Sequence, residues 1–216
     1  MRKILRLFPM MLLCLCVLTA CSSDDGDNNS DSNGKNGVYV INGHKFVDLG
    51  LPSGLLWADC NIGASEPEEA GYLYRWGEVE PINDDIGYKF KDGNTYTKYT
   101  KKDAKVTLEP EDDAATVLWG KNCRMPTKKE FEELVKNCKW KFADEYGDAT
   151  VTGPNGNHIF LPKSSAFTIM YRTSSFNTTY PTDECVYSLQ LWRENTVVVA
   201  HTSRTTGMPV RPVAEK

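Results

Sequence analysis

Hydrophobic positions fall into three regimes along this chain. Leu7 to Ala20 is an almost unbroken apolar run behind the basic residues Arg2, Lys3 and Arg6. Ser22 to Gly37 then contains no apolar residue at all. From Val38 onward, apolar positions alternate with polar ones or recur at helical spacing, and a folded body is expected there.

That body opens with a hairpin: Val38-Tyr39-Val40-Ile41, the turn Asn42-Gly43, then His44 to Asp48. Asn-Gly between apolar runs is a strong hairpin signal, because both turn positions need positive φ. Leu55 to Ala58 reads as a short buried strand. Asp112 or Asp113 caps a short helix through Ala114, Ala115, Val117 and Leu118, which Gly120 ends. Thr127 with Glu130 forms a capping box before a second helix. Its apolar face is Phe131, Leu134, Val135 and Cys138, with Lys136 and Lys139 near the C-terminal end. Beyond it the pattern predicts strands at Ala149–Thr152 and His158–Leu161, an alternating run Val186–Trp192, and Val197–Ala200. Met208 to Val213 reads as a final strand, confined by its two prolines to an edge or an irregular pairing.

The first regime ends at Leu18-Thr19-Ala20-Cys21, the arrangement of a bacterial lipoprotein signal. Residues 1–20 are expected to be a removed leader, since the apolar run is shorter than the ~20 residues that span a bilayer. Cys14 and Cys16 leave with it. Cys21 is expected to carry several acyl chains, which together hold a protein at a membrane where one chain would not. Residues 21–37 form a solvated tether with an r.m.s. reach of ~20–25 Å. Ser22 followed by Asp24 and Asp25 resembles the acidic export signal of Bacteroidetes lipoproteins, which implies an outer-membrane, outward-facing location.

Processing changes the charge picture. Losing Arg2, Lys3 and Arg6 leaves 22 basic residues against 29 acidic, a formal charge of about −7. Such a chain is poorly suited to nucleic acid. Residues 38–216 suit one domain, with Cys60, Cys123, Cys138 and Cys185 inside it. An even count in an oxidising compartment permits two disulfides in three connectivities; spare buried cysteines are the other reading. No C-x-x-C pair occurs, so a zinc site is not expected.

Several phrases coincide with one family. VDLGLPSGLLWADCNIGASEPEEAGYLYRWGE (Val47 to Glu78) and DDAATVLWGKNCRMPTKKEFEELVKNCKW (Asp112 to Trp140) resemble the opening and centre of the Fibrobacter succinogenes major paralogous domain. VTGPNGNHIFLP (Val151 to Pro162) and GMPVRPV (Gly207 to Val213) complete the order. The resemblance implies a C-type-lectin-like α+β fold: a mixed sheet, two helices, long irregular loops, and first and last strands paired. It implies that Trp57, Trp76 and Trp119 are core, and that Arg124 pairs with an inner carboxylate or carbonyls at the helix entry. Two departures stand out. Cys123 replaces a Trp, and Tyr171-Arg172-Thr173-Ser174-Ser175 has Arg where Trp is expected, after a shortened loop.

Candidate chemistry is sparse. His44, His158 and His201 are scattered on strands, and no nucleophile elbow, H-E-x-x-H or phosphate-cradling loop occurs. Asp84-Asp85 and Glu109 to Asp113 lack calcium-loop spacing and read as solvated acid. No metal or cofactor is expected. Tyr171, Arg172, Phe176, Asn177, Tyr180, Trp192, Arg193 and Asn195 mix rings with amides and arginines near predicted loops, as a glycan- or protein-binding surface would. Three functions follow. The first is a lipid-anchored, non-catalytic recognition module for a glycan or protein. The second is a structural spacer of a surface assembly. The third, implied by the fold alone, is a copper oxidase of the formylglycine-generating type, which would need a late cysteine pair where only Cys185 is present.

Overall fold

The computed structural model describes residues 34–143, 147–164, 169–192 and 196–216. The leader and Cys21 lie outside the described residues. In chain order the elements are β1 (Val38–Ile41), β2 (His44–Asp48), β3 (Leu56–Ala58), β4 (Lys91–Asp92), β5 (Thr95–Tyr96) and α1 (Ala114–Trp119). They continue with β6 (Cys123–Arg124), α2 (Lys128–Asn137), β7 (Lys139–Phe142), β8 (Ala149–Thr152) and β9 (His158–Leu161). The last four are β10 (Met170–Phe176), β11 (Cys185–Trp192), β12 (Thr196–Ser203) and β13 (Val213–Ala214). The architecture is α+β and rich in sheet.

A five-stranded sheet runs β1-β2-β3-β13-β6, antiparallel at every pairing. Two three-stranded sheets, β7-β8-β9 and β10-β11-β12, and the β4-β5 ribbon complete it. The first hairpin forms as its turn predicts, with Asn42 at φ 50° and Gly43 at φ 82°. Asn42 also reaches out of the turn, where its Nδ2 donates to the Trp119 carbonyl at 2.7 Å and fixes the end of α1.

Both helices begin where their caps predict. The Asp113 carboxylate accepts from the Ala115 and Thr116 amides, and Thr127 and Glu130 close the reciprocal box at α2. Arg124 meets Glu130 through two bonds, at 2.8 and 2.7 Å, so the expected inner carboxylate is that of the capping residue itself.

The core has three parts. Phe131 and Leu134 of α2 pack with Trp57, Val151, Ile159, Tyr171 and Leu189. α1 packs with β1–β3, Cys123 and Met125. Trp76, Tyr88, Phe90, Tyr99, Phe176 and Val186 form an aromatic cluster beneath the β4-β5 ribbon. Trp57, Trp76 and Trp119 are buried as expected.

Three expectations need correction. α2 ends at Asn137, and Lys139 starts a strand, because its amide faces a partner in β8. The first and last strands do not pair: β1 meets β2, while β13 lies between β3 and β6. The prolines before β13 do give irregular pairing, with Pro209 and Pro212 used through their carbonyls toward Arg172 and Ala58. Yet the strand they lead into is central rather than at an edge. Of the two cysteine readings left open, the geometry matches unlinked side chains: all four body cysteines are free. Cys123 is buried in the α1 cluster and Cys138 packs against the α2 cluster, so apolar packing rather than cross-linking explains these two, while Cys185 is buried at the start of β11.

Candidate functional site

The segment singled out in sequence as a binding surface is largely scaffold. Tyr171 and Arg172 are fully buried, and Phe176 and Asn177 nearly so. Tyr171 donates its hydroxyl to the Pro162 carbonyl at 2.9 Å and accepts from Asn61 Nδ2 at 3.2 Å. Arg172 gives its guanidinium to the carbonyls of Tyr74, Ser203, Arg204 and Thr206. Phe176 belongs to the aromatic cluster, and Asn177 Oδ1 closes a turn by accepting from the Thr179 and Tyr180 amides. These four cannot meet a ligand, because their side chains are buried in β10 and the turn after it. Of the others, Tyr180 is half-buried against His201 and Trp192 is 53% exposed. Arg193 and Asn195 lie outside the described residues.

Of the acidic runs, Asp84 and Glu111 are exposed as expected, but Asp112 and Asp113 are not. Asp113 is buried, and its carboxylate accepts from Met125 as well as from α1. Asp112 is 2% exposed and receives Lys89 at 2.7 Å, Lys98 at 2.5 Å and the Tyr99 hydroxyl at 2.6 Å. Burial opposes its ionisation, but these three donors outweigh burial and hold the Asp112 carboxyl below its ordinary value. Glu109, Glu111 and Asp112 lie close enough together to suggest a cation site. The Lys98 ammonium already stands among them, 2.7 Å from Glu109 and 3.6 Å from Glu111. The cation of this cluster is therefore a side chain of the chain itself.

A polar cleft of about 670 Å³ opens beside that network. One wall is the β4-β5 ribbon, which presents Lys91, Asn94, Thr95 and Tyr96. A second is the loop through Thr97 and Thr100 into a 3-10 turn over Lys101–Asp103. The third is the connection into β11, with Thr182, Asp183 and Glu184. Physical reasons for this shape are local. Phe90, at the foot of the ribbon, and Tyr99 are anchored in the aromatic cluster. Tyr99 adopts φ 57°, a left-handed conformation rare for an aromatic residue, and its burial and two hydroxyl bonds hold it there. The Thr100–Asp103 capping box shapes the next turn. Lys101 then ties two walls, its amide donating to Asp183 Oδ1 at 2.9 Å and its ammonium to the Pro181 carbonyl at 3.0 Å.

Behind the cleft stands Arg204, fully buried. Its guanidinium lies 4.6 Å from the Tyr96 ring centre and also faces Trp76, Tyr88 and Phe176. It donates to the Tyr88 hydroxyl at 2.9 Å and to the carbonyls of Lys98, Tyr99 and Asp183 at 3.0 to 3.2 Å. Tyr88 passes its own proton to the Trp76 carbonyl at 2.6 Å, and burial pushes its pKa up to about 12. One guanidinium thus joins the ribbon, the Tyr99 loop and the β11 connection. Tyr96, on a floor held this firmly, is half-buried and turned toward the cleft.

The cleft was not legible as a site in the sequence. Its signal was the Asp92-Gly93-Asn94 turn between Phe90 and Tyr96, a short ribbon of turn chemistry between aromatics. The histidines are dispersed among β2, β9 and β12. His44 stacks flat on Trp119, with ring centres 3.7 Å apart, and its burial lowers its pKa. Among the described residues, no helix is long and apolar enough to cross a membrane. No protein-family model, curated protein or solved structure matches the chain.

Proposed function

We propose that the chain is a non-catalytic recognition module, held at the outer membrane by acyl chains on Cys21, with a C-type-lectin-like body of the Fibrobacter succinogenes major paralogous type. The cleft between the β4-β5 ribbon and the β11 connection carries this reading. It offers a fixed aromatic ring surrounded by side-chain hydroxyls, an amide and charges, which is the mix that binds polar, extended ligands. Support for the anchor comes from the leader, the cysteine after Ala20 and the apolar-free tether. The test is a glycan array and a pull-down from cell-surface extract with the purified chain. Saturable binding that Tyr96→Ala weakens is expected; no saturable binding to any surface component would refute the reading.

A further inference from the structure

Among the described residues, the sheet edges are blunted with one exception. The outer edge of β10 is covered: the amides of Arg172, Ser174 and Phe176 donate to the carbonyls of Pro209, Pro126 and Val106. The edge strands β1, β4, β5, β6, β7 and β9 are two to four residues long, and β7 alternates exposed lysines. Short strands and edge lysines discourage further pairing. β12 has neither protection. It is eight residues long, contains no lysine, arginine, acid or proline, and pairs with β11 along its whole length without a bulge. None of its residues is buried.

The phase of that pairing decides which backbone groups face outward. The Arg204 amide donates to the Glu184 carbonyl, so Thr202, Ala200 and Val198 bond to β11 in the same phase. Val197, Val199 and His201 therefore turn their amides and carbonyls away from β11, and these amides meet no acceptor among the described residues. The His201 carbonyl accepts from Gln190 Nε2 at 3.2 Å and keeps its second lone pair.

This open row is symmetric about Val199. From that symmetry we infer that two copies of the chain pair through β12, antiparallel, about a two-fold axis at Val199. Val199 then faces its own copy, and Val197 faces His201 of the second chain in both directions, which closes ~6 backbone hydrogen bonds. Val197 and Val199 pack toward the α2 cluster. On the opposite face Val198 meets Ala200 of the second chain, twice over, so no like charges are brought together on an otherwise acidic molecule. The chain's own tether is the poorer occupant, since residues 21–37 supply no β-branched or aromatic side chain. Pairing along one strand sits at the small end of interfaces, below ~1,200 Å², so the dimer is a transient one. The inference is independent of what the cleft binds.

The test is sedimentation equilibrium of the full chain in mild detergent over ~1–200 μM, with amide exchange measured at both ends of that range. A monomer–dimer equilibrium is expected. At the high end the amides of Val197, Val199 and His201 should gain protection, while those of Val198 and Ala200, bonded within the sheet, should not change. Val198→Lys places a charge against the second chain's Ala200 and is expected to weaken dimerisation about tenfold. An unchanged urea midpoint verifies that this variant folds, and should it not fold, the alternating exchange pattern of the unaltered chain decides. A chain that stays monomeric throughout, a dimer indifferent to Val198→Lys, or protection without that alternation would overturn the inference.

Discussion

Replacing Arg204 should loosen the whole cleft wall. The guanidinium is fully buried, donates four hydrogen bonds and is packed among four aromatic rings. In Arg204→Met the stem is replaced by a similar apolar volume, but three carbonyls and the Tyr88 hydroxyl lose their donor. Charged donors contribute ~1.5 kcal/mol or more each, so the gross loss is ~6 kcal/mol. Removing a desolvated charge returns several kcal/mol, which leaves a net destabilisation of ~3 kcal/mol. For a domain of this size that is a fall of ~6–12 °C in Tm, or ~1–1.5 M in the urea midpoint. Arg204→Lys keeps the charge but not the planar fork, and should fall between the two. Urea unfolding followed by tryptophan fluorescence is the assay, since Trp76 lies 5.1 Å from the guanidinium. If Arg204→Met unfolds within 0.5 kcal/mol of the unaltered chain by this measure, the guanidinium is not what joins the three walls.

Two further expectations concern the acid network and the thiols. The Asp112 carboxyl is depressed below 3.8, so its stabilisation is complete above that value and disappears as pH falls through the folded-state pKa. Asp112→Asn is therefore expected to cost ~2 kcal/mol at pH 7, and progressively less as the pH is lowered through the folded-state pKa; a penalty that NMR titration shows unchanged after the Asp112 carboxyl has taken up its proton would refute the ionic account. The free state of Cys60, Cys123, Cys138 and Cys185 predicts that all four are alkylated after denaturation without reductant. A linked pair of peptides in the mass spectrum would contradict it.

Local rules carried far in this chain, and long-range ones did not. Asn42-Gly43, the Asp113 cap and the Thr127–Glu130 box each act within a few residues, and each appears where the sequence predicts; the β11 strand also forms, though Ser188 on its expected polar side is fully buried. The binding segment failed for a physical reason. Tyr171, Arg172 and Asn177 look like surface chemistry because they are polar or amphipathic, but backbone carbonyls from distant loops satisfy Arg172, and Asn177 satisfies its own turn. The Asp112 network misled in the same way, since its cations, Lys89 and Lys98, lie 23 and 14 residues away. Trp192, placed in the same expected surface, is exposed.

The placement of β13 has a consequence for how the molecule comes together. It follows every other described element in the chain, yet β3 and β6 meet only through it. The principal sheet is therefore two separate pieces until the tail threads between them, a closure over long sequence separation that slows folding. A protease cut after Gly207 would not trim a loose end; it would withdraw the strand that joins β3 to β6, leaving the amino-terminal hairpin tied to the entry to α2 by side-chain packing on α1 alone.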